Sequence, residues 1–112
     1  AIQFFAPGIP QVYYVGMLAG ANGIELLEKT KNGRDINRHY YSVEEVEENQ
    51  KREVVQGLKK LMILRNTDPA FSLEGNIEIE TEGDSLVITR SYLDNKIILK
   101  ANLTTYDFEI IH

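Results

Sequence analysis

The apolar residues of this chain change period at Asn66-Thr67-Asp68-Pro69, and no other feature constrains the fold as tightly. Upstream, Val54, Val55, Leu58, Leu61 and Met62 recur at the spacing of one helix face. Ile63 and Leu64 widen that face, so more than one neighbour is expected to cover it. Pro69 ends the helix, because its ring fixes φ and removes the backbone N–H. Downstream the period is two. Ile77 and Ile79 alternate with Glu78, Glu80 and Glu82, and Gly83-Asp84 turns the chain. Leu86, Ile88 and Tyr92 share a face before a turn at Asp94-Asn95. Ile97, Leu99, Ala101 and Leu103 alternate with Lys96, Lys100 and Asn102. After Thr104-Thr105, Tyr106, Phe108 and Ile110 share a face. This predicts an antiparallel meander with one face on a core and one in water. The helix carrying Leu58 and Leu61 is its expected cover.

Before that helix, Ser42-Val43-Glu44-Glu45 forms a capping box, in which the Ser hydroxyl accepts from the N–H of Glu45 and the Glu carboxylate reaches back. Glu44, Glu45, Glu47 and Glu48 lie where the helix dipole favours acids, so a solvated helix start is the better reading than a metal site. The helical pattern breaks near Asn49 into two helices. At the other end of the chain, Ile2 to Ala6 reads as the end of a buried helix stopped by Pro7-Gly8-Ile9-Pro10. Residues 11–15 are aromatic and β-branched on both faces, as in a strand of a covered parallel sheet. A loop punctuated by Gly16, Gly20 and Asn22-Gly23 follows, then a turn or two of helix over residues 24–29.

Net charge is −5, which disfavours a nucleic-acid partner held through phosphates. No basic amphipathic stripe and no run of about 20 apolar residues points to a membrane. There is no Cys, hence no disulfide framework and no thiolate metal site, which fits a cytoplasmic location. The chain starts without Met in hydrophobic sequence, as expected of a piece of a longer protein. Asn102-Leu103-Thr104 fits a glycosylation sequon but lies in an expected strand.

Chemistry concentrates in Asn32-Gly33-Arg34-Asp35-Ile36-Asn37-Arg38-His39-Tyr40-Tyr41. Arg34 presents a planar fork of donors suited to a carboxylate, a phosphate or paired sugar hydroxyls. Its alternative is a structural role, pinning the loop to an Asp. Arg38 is the better pin, against Asp35. His39, beside aromatics, reads as a satisfied loop or core His, and Tyr40 and Tyr41 read as packing. With only His39 and His112 and no Cys, no zinc site is visible.

Pro7-Gly8-Ile9-Pro10-Gln11-Val12-Tyr13-Tyr14-Val15-Gly16 resembles the last barrel strand of the α-amylase-type glycoside hydrolases, usually P-G-x-P-x-x-Y-Y-G. That strand is usually followed by Asp-Glu-Ile-Gly, where this chain has Val15-Gly16-Met17-Leu18-Ala19-Gly20. The departure, with the polar decapeptide, resembles the sucrose phosphorylase family. The match is specific over roughly residues 1 to 66 and weaker in the meander.

The resemblance implies the last strand-loop-helix unit of a (β/α)8 barrel in residues 1–69 and a C-terminal β domain in residues 70–112, α+β as a fragment. It implies a retaining glucosyl transfer from sucrose to phosphate, releasing fructose and α-glucose 1-phosphate, with no cofactor or metal. The Asp nucleophile, the Glu acid/base and the stabilising Asp of the family map outside this chain, so no catalytic residue is expected here and the piece alone should be inactive. Arg34 is the one residue the resemblance carries to the sugar site, as substrate-binding. A strand at residues 11–15 without neighbours is expected to pair with a second copy, giving a homodimer through exposed strand edges, or to lack order. The competing expectation is an autonomous helix-plus-meander module that binds a partner without catalysis.

Overall fold

The computed structural model covers residues 1–112. Helices α1 (Ile2–Phe5), α2 (Tyr14–Met17), α3 (Ile24–Thr30), α4 (Val43–Gln50) and α5 (Glu53–Thr67) precede strands β1 (Asn76–Glu82), β2 (Ser85–Tyr92), β3 (Asn95–Asn102) and β4 (Phe108–Ile111). Two 3-10 turns, Gly33–Asn37 and Pro69–Phe71, lie between them. The chain divides into two compact units, Ala1–Pro10 with Lys60–His112, and Gln11–Lys59.

The first unit is built on the meander. Its four strands are antiparallel in the order β1-β2-β3-β4. Register stacks Ile79, Ile88, Leu99 and Ile110 in one row across the sheet. Ile77, Arg90 and Ile97 form the adjacent row. Ile88, Ile97, Leu99 and Ala101 are buried, and their outward neighbours on β3 are Lys96, Ile98 and Lys100. The period of two thus places one face on a core. The cover, however, is not chiefly α5. The turn Pro69–Phe71 and α1 are the elements packed on β2 and β3. Phe5 meets Phe71 edge to face, with ring centroids 5.0 Å apart. The Asp68-Pro69 break brings Phe71 over the sheet: Asp68 Oδ1 accepts from the N–H of Ala70 at 2.9 Å, fixing the turn. On α5, Val54 and Ile63 stay exposed, and Leu61, Met62 and Leu64 are half-buried.

The first hairpin turns at Gly83-Asp84 as expected, and the second is shifted by one residue. Gly83 takes a left-handed φ of 56° at the first, as its missing Cβ permits. At the second, the corner residues are Leu93 and Asp94 rather than Asp94 and Asn95, because Tyr92 pairs with Asn95. Leu93 therefore carries a φ of 52°, a region a branched side chain tolerates poorly. Tyr106 does not share a face with Phe108 and Ile110. It lies outside β4 at φ 64° and is exposed. Asn102 sets that loop, its side-chain oxygen accepting from the N–H groups of Thr104 and Thr105, each at 2.9 Å.

The second unit departs from expectation at residues 11–15, which form no strand. Tyr13 is extended, but no ladder partner is present, and the chain coils into α2 at Tyr14. A parallel strand depends on neighbours for its hydrogen bonds. In α2 the N–H groups of Met17 and Leu18 donate to the carbonyls of Tyr13 and Tyr14 at 2.8 and 3.1 Å. The helix at 24–29, the capping box and the break between α4 and α5 appear as the sequence indicates.

Arg90 was invisible to the apolar pattern. It occupies a core-facing position on β2 and is only 2% exposed. Its guanidinium carbon lies 5.4 Å from the centre of Phe71, and that of Arg65 lies 4.8 Å from the same ring. Arg65 donates to the carbonyl of Gly8 at 2.8 Å. Nε and Nη1 of Arg90 and Nη1 of Arg65 are buried without acceptors. Burial pushes both pKa values down, and the charge of Arg65 pushes that of Arg90 down further. Both remain cations at neutral pH, because a guanidinium holds its proton. A cation–π contact returns about 0.5–2 kcal/mol, whereas a buried unpaired ion costs several kcal/mol.

If the β2–β3 face is the core, Leu99→Ala should lower stability by about 2–5 kcal/mol. Glu78→Ala, on an exposed position of β1, should change it by no more than about 0.5 kcal/mol. Urea unfolding followed by circular dichroism compares the two; equal losses would contradict this placement of the core.

Candidate functional site

The polar decapeptide is a loop fixed largely by its own hydrogen bonds. Asn32 starts it: its side-chain oxygen accepts from the N–H of Arg34 at 3.2 Å, and its carbonyl accepts from the N–H of Asp35 at 2.9 Å. These bonds launch the 3-10 turn Gly33–Asn37. The N–H of Gly23 donates to the carbonyl of Ile36 at 2.6 Å, tying the turn to the start of α3.

Arg38 lies 3.7 Å from Asp35, so the pin expected of this pair is present. His39 is also engaged. Its Nε2 lies 3.1 Å from Oε1 of Glu45, and its ring meets Tyr41 edge to face with centroids 4.4 Å apart. The phenol of Tyr14 donates to the carbonyl of His39 at 3.0 Å. Tyr14 and Tyr41 rings meet edge to face at 6.1 Å. Tyr13, Tyr14, Tyr41 and His39 thus form a chain of ring contacts. Tyr40, by contrast, is 85% exposed and packs little.

Arg34 is different from its neighbours. Its residue is exposed, its backbone N–H is the cap donor, and its guanidinium makes no ion pair or hydrogen bond within the chain. The loop therefore spends Arg38 and His39 on its own structure and leaves one forked cation free for a ligand.

The carboxylates here are poorly suited to acid catalysis. Glu45 is held below the usual range, first by the N–H of Ser42 and then by His39. Glu44 is held down by backbone hydrogen bonding at the helix start and then by Ser42. A carboxyl ionised at neutral pH cannot donate a proton as a general acid. No three His, Asp or Glu side chains converge in a metal-binding cluster.

Two supporting residues escaped the sequence reading. Arg52, following α4, donates through Nη1 to the carbonyls of Leu18 and Ala19 at 3.2 and 3.0 Å. It secures a turn in which Ala19 takes φ 51°. Tyr41 lies over Gly20 so closely that a Cβ there would collide with the phenol oxygen and with Val15. The Gly was legible as punctuation, but its partner was not, because residues 20 and 41 meet only through the tertiary fold.

No family model matches the chain. A sucrose phosphorylase of Streptococcus mutans is 55% identical over 107 residues, covering 95% of this chain and 22% of the relative. A sucrose 6(F)-phosphate phosphorylase of Thermoanaerobacterium thermosaccharolyticum is 50% identical over 106 residues, with the same coverages. The chain is similar to part of these phosphorylases. The crystal structure of a sucrose 6F-phosphate phosphorylase superposes on 97% of the chain with a TM-score of 0.89 at 48% identity. The chain matches 22% of that structure, so it spans about a fifth of the length of the sucrose phosphorylase relatives.

The capping box gives the site a pH dependence. The Glu45 pKa is depressed on folding, so its contribution is present above the unfolded carboxylate range of about 4.3 and is lost as pH falls through the folded value. Acid titration should melt the start of α4 over that window, and Glu45→Gln should flatten the response. A Glu45→Gln helicity profile identical to that of the parent chain would contradict the capping role.

Proposed function

We propose that this chain is the C-terminal part of a retaining glucosyltransferase that converts sucrose and phosphate to α-glucose 1-phosphate and fructose. The observation that carries this reading is the 55% identity to a sucrose phosphorylase over nearly the whole chain. On this reading residues 1–69 close a (β/α)8 barrel of the α-amylase type, residues 70–112 form a C-terminal β domain, and the enzyme is cytoplasmic. Residues 11–15 become the last barrel strand once their neighbours are present to accept their hydrogen bonds.

The reaction needs two carboxylates on opposite duties. A carboxylate attacks the anomeric carbon of glucose, the glycosidic C–O bond breaks, and a carboxylic acid protonates the departing fructosyl oxygen. A phosphate oxygen then attacks the same carbon, displaces the enzyme carboxylate and yields glucose 1-phosphate with retained configuration. Both carboxyl groups lie in the polypeptide outside these 112 residues. Asp35, pinned by Arg38, supplies neither.

Arg34 binds substrate in this scheme. Its fork, free within the chain, holds a sugar hydroxyl or steers the incoming phosphate. A second reading is favoured by the 50% identity to a sucrose 6(F)-phosphate phosphorylase, in which the glucosyl donor carries its own phosphate. The two readings share the glucosyl half of the reaction and differ in the leaving group.

The longer polypeptide should release glucose 1-phosphate from sucrose only when phosphate is present, and the 112-residue chain alone should release none. Arg34→Lys keeps the charge but loses the fork. It should lower kcat/KM by roughly 5- to 150-fold, about 1–3 kcal/mol. Sucrose 6F-phosphate as the better donor would select the second reading. No phosphorolysis of either donor, or full activity in Arg34→Ala, would contradict the proposal.

A further inference from the structure

The apolar face of the meander runs further than its cover. The turn Pro69–Phe71 and α1 pack on β2 and β3, where Ile88, Ile97 and Leu99 are buried. Register places Leu86, Ala101 and Phe108 in the next row of the same face. Ala101 is buried and Leu86 half-buried, but Phe108 is 54% exposed. Leu103 and Tyr106, at the same end of the sheet, are exposed too. A contiguous apolar patch at the end of a core face marks a surface that something covers.

The patch is concave. Ala1, Ile2, Ala101, Leu103, Tyr106 and Phe108 line a cavity of about 110 Å³. Its polar lining is Asp107 and Asn102, the latter spending its side-chain oxygen on the N–H groups of Thr104 and Thr105. Because Ala1 is part of the wall, any polypeptide joined to it leaves from the cavity itself. Ala1 is already in helical pairing, its carbonyl accepting from the N–H groups of Phe4 and Phe5 at 2.9 and 3.3 Å. A single helical turn is marginal by itself, so further turns would steady α1. Burial also pushes the pKa of the Ala1 amino group down, and a peptide bond in its place would carry no charge to desolvate.

We propose that the polypeptide preceding Ala1 continues α1 by further helical turns and seats an apolar face in this cavity, covering Leu103, Tyr106 and Phe108. The proposal rests on the reading that a longer polypeptide carries this chain, whose match spans 22% of the S. mutans relative. A tethered segment is favoured over a second copy because it meets the cavity at high effective concentration, without the entropy loss of association. Ala1 and the buried Phe5 share a helix face, so the residues about three and four positions before Ala1 fall on that face and should be apolar.

Photo-cross-linking tests the docking. With p-benzoylphenylalanine in place of Phe108 in the longer polypeptide, mass spectrometry should map the cross-link to the segment just before Ala1. A cross-link to any other segment or to a second copy, or no cross-link, would overturn the proposal. Hydroxyl-radical footprinting checks it without a substitution. Tyr106 is 85% exposed in this chain and should lose most of its oxidation in the longer polypeptide. Oxidation there as fast as that of free tyrosine would also overturn it, as would charged residues at both upstream positions. Glucose 1-phosphate release is scored separately: an inactive polypeptide can give the cross-link and an active one can lack it, so the docking and the assigned reaction fail independently.

Discussion

The edge-to-face contact of Phe5 and Phe71 is the interaction on which the first unit depends. Four strands with one apolar face need a lid, and these two rings supply it, one from each of the unit's two segments. Phe5 comes from the short helix that Pro7 stops. Phe71 comes from the turn that Pro69 starts. Each proline therefore borders a segment whose aromatic ring packs over β2 and β3. The same arrangement draws Arg65 and Arg90 against the aromatic core, where their charge finds no partner within the chain.

The loop at residues 32–41 is held by a different kind of economy. Asn32, Ser42 and Glu45 cap backbone groups at its two ends, Arg38 folds back on Asp35, and His39 is caught between Tyr41 and Glu45. Arg38 and His39 are thus occupied within the loop. The remaining exposed guanidinium, Arg34, is set on a short turn with its own N–H fixed. Such a donor loses little further backbone freedom on binding, which is what a rigid site requires.

Local signals were legible in the sequence. The meander, the capping box at Ser42 and Glu45, the α4–α5 break and the Arg38–Asp35 pin all follow from residues within a few positions of one another. Features set by distant residues were not. The lid on the sheet depends on where Pro69 throws Phe71, so α5 looked like the cover. Arg90 sits between Ile88 and Tyr92 in the period-two pattern, yet a charge at an inward position reads as a gap until burial is known. Tyr106 has the alternation of a strand residue, but the Asn102 side chain claims the backbone first. Residues 11–15 have the composition of a strand buried on both faces, but the chain gives them no ladder and coils into α2 at Tyr14. Arg34 stood out by its type and by the resemblance of its surroundings, while its freedom from internal partners became visible only with the loop in place.

The proposed place of this chain in a larger enzyme turns on that same strand. The most direct measurement is amide hydrogen exchange of Val12 and Tyr13 in the 112-residue chain and in the longer polypeptide. The account predicts rapid exchange in the short chain and strong protection in the long one, where neighbouring strands accept the ladder bonds. Rapid exchange at both residues in both proteins would contradict it.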